Sequence, residues 1–200
     1  MFQQRRMGCW MKCSVMGIVA IAAVSCQAAE QTPAGQPAVP AKEGGTQMAL
    51  QVSSTAFEAG AYIPKKYTGE GADVSPPLKW SDPPQGAKNF VLICDDPDAP
   101  VGTWVHWVAW GIPAAVRELP EAVPTQKQLD NGIRQGANDF RKIGYGGPMP
   151  PRGSDHRYFF KFYALDAEIA LSPGAAKKDL LNAMKGHVLA EGELMGRYKR

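Results

Sequence analysis

Four side chains in this 200-residue sequence have types and spacings suited to holding a small anion: Asp96, His106, His156 and Tyr158. His106 lies inside an apolar run, Thr103–Ile112 (TWVHWVAWGI). A buried imidazole must find a polar partner or bear the cost of desolvation. For a lone histidine, the simplest partner is a backbone carbonyl. On a period of two, His106 shares a face with Trp104, Val108 and Trp110. Asp96 closes the preceding apolar run, Asn89–Asp95, and only a short connection separates it from Thr103. The two runs should therefore be neighbouring strands, with the carboxylate beside the imidazole. A carboxylate there would fix the tautomer and favour the charged ring. The third group follows the loop Gly144–Pro151 (GYGGPMPP). Its glycines would let backbone approach a ligand, and its amides could form an anion-binding nest. His156 and Tyr158 are two apart at the head of a strand, so their side chains point the same way. Imidazole and phenol donors on one face suit phosphoryl oxygens.

Catalytic chemistry has less support. Ser154–Asp155–His156 holds the residue types of a triad, but contiguous residues do not wrap into one. Cys94 sits in NFVLIC and reads as a buried small hydrophobe rather than a reactive thiol. Asp96, His106 and His156 could form a two-histidine, one-carboxylate metal set, yet no tight ligand spacing supports it. No catalytic residue, cofactor or metal is therefore expected. His187 follows a helical stretch and reads as structural, near a helix C-terminus.

The elements that must position these residues are mostly strands. Met48–Ser54 alternates, Asn89–Asp95 is nearly continuous in apolar residues, and Tyr158–Leu165 (YFFKFYAL) is aromatic and β-rich. Ala190–Tyr198 alternates again, with Ala190, Gly192, Leu194, Gly196 and Tyr198 on one face. One helix is predicted over Ala175–Lys185, with Gly186 as its stop. Pro- and Gly-rich turns separate the strands. The pattern predicts a mainly β fold, a two-sheet antiparallel sandwich with one or two short helices.

Charge and targeting signals bound the function. Arg5, Arg6 and Lys12 precede Glu30 and no acid does; the other 19 of the 22 basic residues face 19 acids, so the body is neutral. That removes the electrostatic case for nucleic acid. Residues 1–29 read as a signal peptide: basic residues, an apolar run Val15–Val24, then small residues. The run is too short to span a bilayer, which needs about 20 apolar residues. Ala23–Val24–Ser25–Cys26 resembles a lipobox, which makes Cys26 a candidate for lipidation; cleavage after Ala28 or Ala29 is the rival. Residues 30–47, rich in Pro, Gly, Ala and Gln, read as a disordered linker, and 48–200 as the folded domain. Cys94 is the one cysteine of that domain, so it holds no intrachain disulfide. The expected location is the periplasm or cell envelope. Intact mass of the natively expressed protein should lack everything before Cys26. A mature chain retaining Met11–Ser25 would refute export by this signal, and an acyl mass increment on Cys26 would select the lipoprotein.

Taken together, the motifs resemble the phosphatidylethanolamine-binding protein (PEBP) family, specifically its bacterial Raf kinase inhibitor-like branch. The matching pieces are DPDAP, TWVHW, GYGGPMPP, HRYFFKFYALD and AMKGHVLAEGELMGRYKR, with Ser75–Trp80 and Asn138–Phe140 also fitting. They run from about Ala49 to Arg200. The resemblance implies a two-sheet antiparallel sandwich with an anion pocket at one end. It carries the pocket onto Asp96, Asp98, His106, His156 and Tyr158, with the pocket proline at Pro150 or Pro151. Met149 stands where bacterial relatives commonly have Cys. The expected ligand is a small phosphate-like anion or a phospholipid head group. The alternative is an inhibitor or interaction protein that docks a protein partner through the same surface.

Overall fold

The computed structural model describes residues 48–200. The signal peptide, Cys26 and the linker lie outside the described residues. Two sheets form the body. The larger has seven strands in the order β1-β10-β8-β4-β5-β7-β9, and the smaller has three in the order β2-β3-β6. In chain order these are β1 (Met48–Ala49), β2 (Val52–Ser53), β3 (Leu78–Trp80), β4 (Asn89–Asp96), β5 (Trp104–Pro113), β6 (Glu118–Leu119), β7 (Arg134–Ala137), β8 (Asp155–Leu165), β9 (Gly174–Ala176) and β10 (Val188–Lys199). One α-helix, α1 (Lys177–Met184), and a 3-10 turn at Lys65–Tyr67 complete the set.

The expected sandwich is present, and its antiparallel centre is β10-β8-β4-β5-β7. The two edges of the large sheet differ: β1 joins β10, and β9 joins β7, in parallel. The alternating run Met48–Ser54 proves to be two short strands in different sheets, β1 in the large one and β2 in the small one. The helix is shorter than predicted because Gly174–Ala176 pairs with β7 instead of entering it.

Every residue of β4 is buried, which explains its unbroken apolar run. One face of the large sheet packs on the small sheet through Trp80, Phe90, Trp107, Phe160 and Phe162. The other face is covered by Leu180 and Met184 of α1 and by Ile169. Strand β10 behaves as its alternation predicts: Ala190, Leu194, Gly196 and Tyr198 are buried, and Glu191, Glu193 and Arg197 are exposed. Its glycines are required by close packing. A Cβ on Gly192 would lie 2.0 Å from the Leu50 carbonyl oxygen, and one on Gly196 would lie 2.6 Å from Ile63.

Candidate functional site

The sheet order brings the expected residues together. β4 lies between β8 and β5 and runs antiparallel to both. Its last residue, Asp96, is therefore level with the first residues of the two neighbours. Those are Trp104 and His106 on β5, and His156 and Tyr158 on β8. A cavity of about 250 Å³ opens here, lined by Asp96, His106, His156, Trp104, Phe140 and Pro150, among others.

Asp96 pairs with His156, and this corrects the expected pairing with His106. Asp96 Oδ2 lies 2.7 Å from His156 Nδ1, and both side chains are buried, 4% and 6% exposed. The carboxylate makes Nδ1 the donor, so Nε2 is the ring nitrogen left for a ligand. The other oxygen, Asp96 Oδ1, accepts the Asp98 amide at 2.8 Å and pins the turn after β4. Asp95 points through the opposite face of the same strand, where it accepts from Lys177 at 2.5 Å and Lys161 at 3.2 Å. Alternation thus sends two adjacent carboxylates to separate cationic partners.

His106 takes the backbone partner open to a lone core histidine. Its Nδ1 is 2.6 Å from the Gly146 carbonyl oxygen, and its own carbonyl accepts the Gly146 amide at 2.9 Å. Burial holds its pKa below the ordinary histidine range, against the pull of that carbonyl and of Asp96. Burial thus works against the charged ring that a neighbouring carboxylate would favour. The shared face with Val108 and Trp110 is corrected too. Cys94 pairs with Trp107 and Asp95 with Val105, which leaves His106 as the extra residue of a β-bulge. Val105, Val108 and Trp110 then pack on the helix side, whereas Trp107 and Ala109 pack on the small-sheet side. The bulge aims His106 at the cavity, edge-on to Tyr158 at 5.1 Å between ring centroids.

The glycine-rich loop serves packing rather than an anion nest. The Gly146 amide bonds to His106, and the Gly147 amide donates to Asp73 Oδ1 at 2.6 Å. A Cβ on Gly146 would stand 2.8 Å from the Phe140 ring, and one on Gly147 2.6 Å from the Tyr67 carbonyl oxygen. These two amides are occupied and are not available to a ligand.

Tyr158 is 1% exposed, and its hydroxyl has no hydrogen-bond partner among the described residues. Burial, reinforced by the charge of Asp96, pushes its pKa well above the ordinary tyrosine value. It is a neutral donor close to the Asp96 carboxylate but without a well-formed hydrogen bond to it. Trp104 Nε1 is also buried without a partner among the described residues. Pro150 and Pro151 both line the cavity. Asp98 does not line it. Asp98 receives two guanidinium bonds from Arg157, at 2.7 and 2.9 Å, which hold its carboxyl down to about 2. It locks the Asp96–Pro100 turn onto β8.

Sequence reasoning did not assign Trp104 or Phe140 to the site. Phe140 stands edge-on to His106 at 5.3 Å and to Trp104 at 5.4 Å. Asp139 places it there, since its carboxylate accepts the Val105 amide at 2.7 Å and its amide donates to the Val105 carbonyl. Trp104 precedes His106 by two, and that spacing was the available signal. At the mouth, Val101 is 78% and Met149 43% exposed. Ser154 lies outside the cavity lining and Cys94 is fully buried. His187 lies away from the site, its ring 2.8 Å from Asp166 and its amide on the Met184 carbonyl.

Comparison with known proteins decides the family. The model described as "Phosphatidylethanolamine-binding protein" matches residues 53–199. The chain belongs to the phosphatidylethanolamine-binding protein family. Its similarity extends to a "UPF0098 protein" of Aquifex aeolicus, 52% identical over 153 residues, covering 76% of this chain and 89% of the relative. A "UPF0098 protein" of Pyrococcus horikoshii is also 52% identical, over 160 residues, covering 78% and 80%. Among solved structures of the family, CT736 of Chlamydia trachomatis aligns with a TM-score of 0.69 at 43% identity. YbcL of E. coli, described as a new member of the mammalian PEBP family, aligns with a TM-score of 0.70 at 33% identity. Each covers 76% of this chain and 98% of its own.

Proposed function

We propose that this chain is an exported binding protein for a small phosphate-like anion, either a free phosphate ester or the head group of an envelope phospholipid. The observation that carries this reading is the floor of the cavity. His156 is fixed there by Asp96 with its Nε2 left for a ligand, and behind the lining, against the His106 ring, the buried Tyr158 hydroxyl makes no hydrogen bond among the described residues. An unmade hydrogen bond at a buried donor costs about 1–3 kcal/mol. An oxyanion accepting from Tyr158 would recover it, and His156 would add a second donor through Nε2 when its ring carries both protons. The names of the relatives, phosphatidylethanolamine-binding among them, point to the same ligand class.

The reading is of a binder rather than an enzyme. Among the described residues, no serine or cysteine lines the cavity beside a histidine, and the Tyr158 hydroxyl is held protonated. Calorimetric titration of the purified protein with methyl phosphate should give saturable binding at or below millimolar concentration. Incubation with p-nitrophenyl phosphate and p-nitrophenyl acetate should release no product above background. Hydrolysis that disappears in His156→Ala would overturn the assignment.

A second reading is favoured by the rim. Val101 and Met149 expose apolar surface at the mouth, as an inhibitor or interaction protein docking a protein partner would require. An absence of anion binding would promote it.

A further inference from the structure

We propose that the cavity selects an oxyanion that carries its own proton, such as a phosphomonoester monoanion, over an equally charged tetrahedral oxyanion that carries none. The proposal rests on the anion-pocket reading above and refines it. Its basis is the hydrogen-bonding sense of the groups that face the cavity.

His106 contributes an acceptor. Its Nδ1 is 2.6 Å from a carbonyl oxygen, which can only accept, so Nδ1 bears the proton. Among the described residues its ring bonds through Nδ1 and not Nε2, and the ring lines the cavity. In the neutral ring this nitrogen presents a lone pair. Burial disfavours the charged ring, which agrees with that assignment. Asp96 lines the same floor, and a carboxylate also only accepts. The donors are the Trp104 indole N–H, which lines the cavity, the Tyr158 hydroxyl behind it, and His156 Nε2 when that ring carries both protons. The cavity is therefore mixed in sense, with groups that give a proton to a ligand oxygen and groups that take one.

A fully deprotonated oxyanion satisfies the donors and sets a bare oxygen against the His106 lone pair or Asp96. A phosphomonoester monoanion satisfies both halves, because its P–OH donates to His106 Nε2 while its other oxygens accept. Sites built to hydrogen-bond a substrate hydroxyl reject analogues lacking it, since their buried polar groups are left unpaired. Had His106 been charged, both ring nitrogens would donate and no such preference would exist.

The test compares methyl phosphate with methyl sulfate on the full purified protein at pH 5. There the two share shape and carry one negative charge, because pH 5 lies about one unit below the phosphomonoester's second pKa of about 6; they differ in the P–OH. Methyl phosphate is expected to bind at least about tenfold more tightly, by the worth of one hydrogen bond and the removal of one repulsion. In His106→Phe, which keeps an aromatic ring against Phe140 and Tyr158, the ratio should collapse toward one. Equal affinities for the two ligands in the parent protein would overturn the selectivity and leave the anion pocket standing. Binding of neither would overturn the pocket reading itself and the selectivity with it. A ratio that persists in His106→Phe would assign the proton's acceptor elsewhere and overturn the role given to His106.

Discussion

Asp96→Ala is expected to weaken methyl phosphate binding by about tenfold or more, although it removes a negative charge beside an anion. The sign separates two accounts. If Asp96 acted only as a charge, its loss would tighten binding. The structure gives it two positioning bonds instead, to His156 Nδ1 at 2.7 Å and to the Asp98 amide at 2.8 Å. Alanine frees the buried His156 ring to turn and releases the turn after β4. Charged hydrogen bonds contribute roughly 1.5–3 kcal/mol each, and 1.4 kcal/mol is a factor of about ten. His156→Ala removes the ligand-facing ring itself and should cost at least as much. Removing one partner of a buried pair also costs stability, about 3–5 kcal/mol when the other is left charged. Calorimetry should therefore be run well below each variant's own unfolding midpoint. Unchanged or tighter binding by Asp96→Ala would remove its positioning role.

Trp80→Ala should lower the thermal midpoint by roughly 10 °C, with methyl phosphate affinity of the folded protein preserved. Trp80 of β3, together with Leu78, packs the small sheet onto the large one. Its ring stacks on Phe162 of β8 at 4.4 Å and meets Phe90 of β4 edge-on at 5.4 Å. Truncating a buried aromatic costs about 3–5 kcal/mol, and each kcal/mol shifts the midpoint of a domain this size by about 2–4 °C. The small sheet has only seven residues in strands, Val52–Ser53, Leu78–Trp80 and Glu118–Leu119, and cannot compensate through its ladder. The ligand side chains sit at the far ends of β4, β5 and β8 and do not touch Trp80. Differential scanning calorimetry gives the midpoint. A fall under 3 °C would show that the sheets are held elsewhere, and a parallel loss of affinity would show that the core and the cavity are coupled.

What the sequence determined by itself was local. Aromatic, β-rich composition identified β8 and period-two patterning identified β10, and the two-residue spacing assigned His156 and Tyr158 to one side of a strand, because neighbouring side chains on a regular strand must alternate. The unbroken apolar run identified β4 as a central strand, and the short link after Asp96 correctly made β5 its neighbour. Motif resemblance then named the family, the sandwich and the residues to inspect. Three things were decided only by the tertiary structure. The bulge at His106 cannot be seen in a strand's own residues, since it is defined by the partner's count, Cys94 and Asp95 against Val105, His106 and Trp107. The partner of Asp96 is His156, 60 residues away, because β4 has two neighbours and sequence proximity favours the nearer one. The glycines of Gly146–Gly147 read as ligand-facing and turned out to be packing-limited, with amides consumed by His106 and Asp73. Glycine reports that space is short without saying what fills it. The sense of each hydrogen bond, and so the chemistry of the cavity, was set by contacts between segments far apart in the chain.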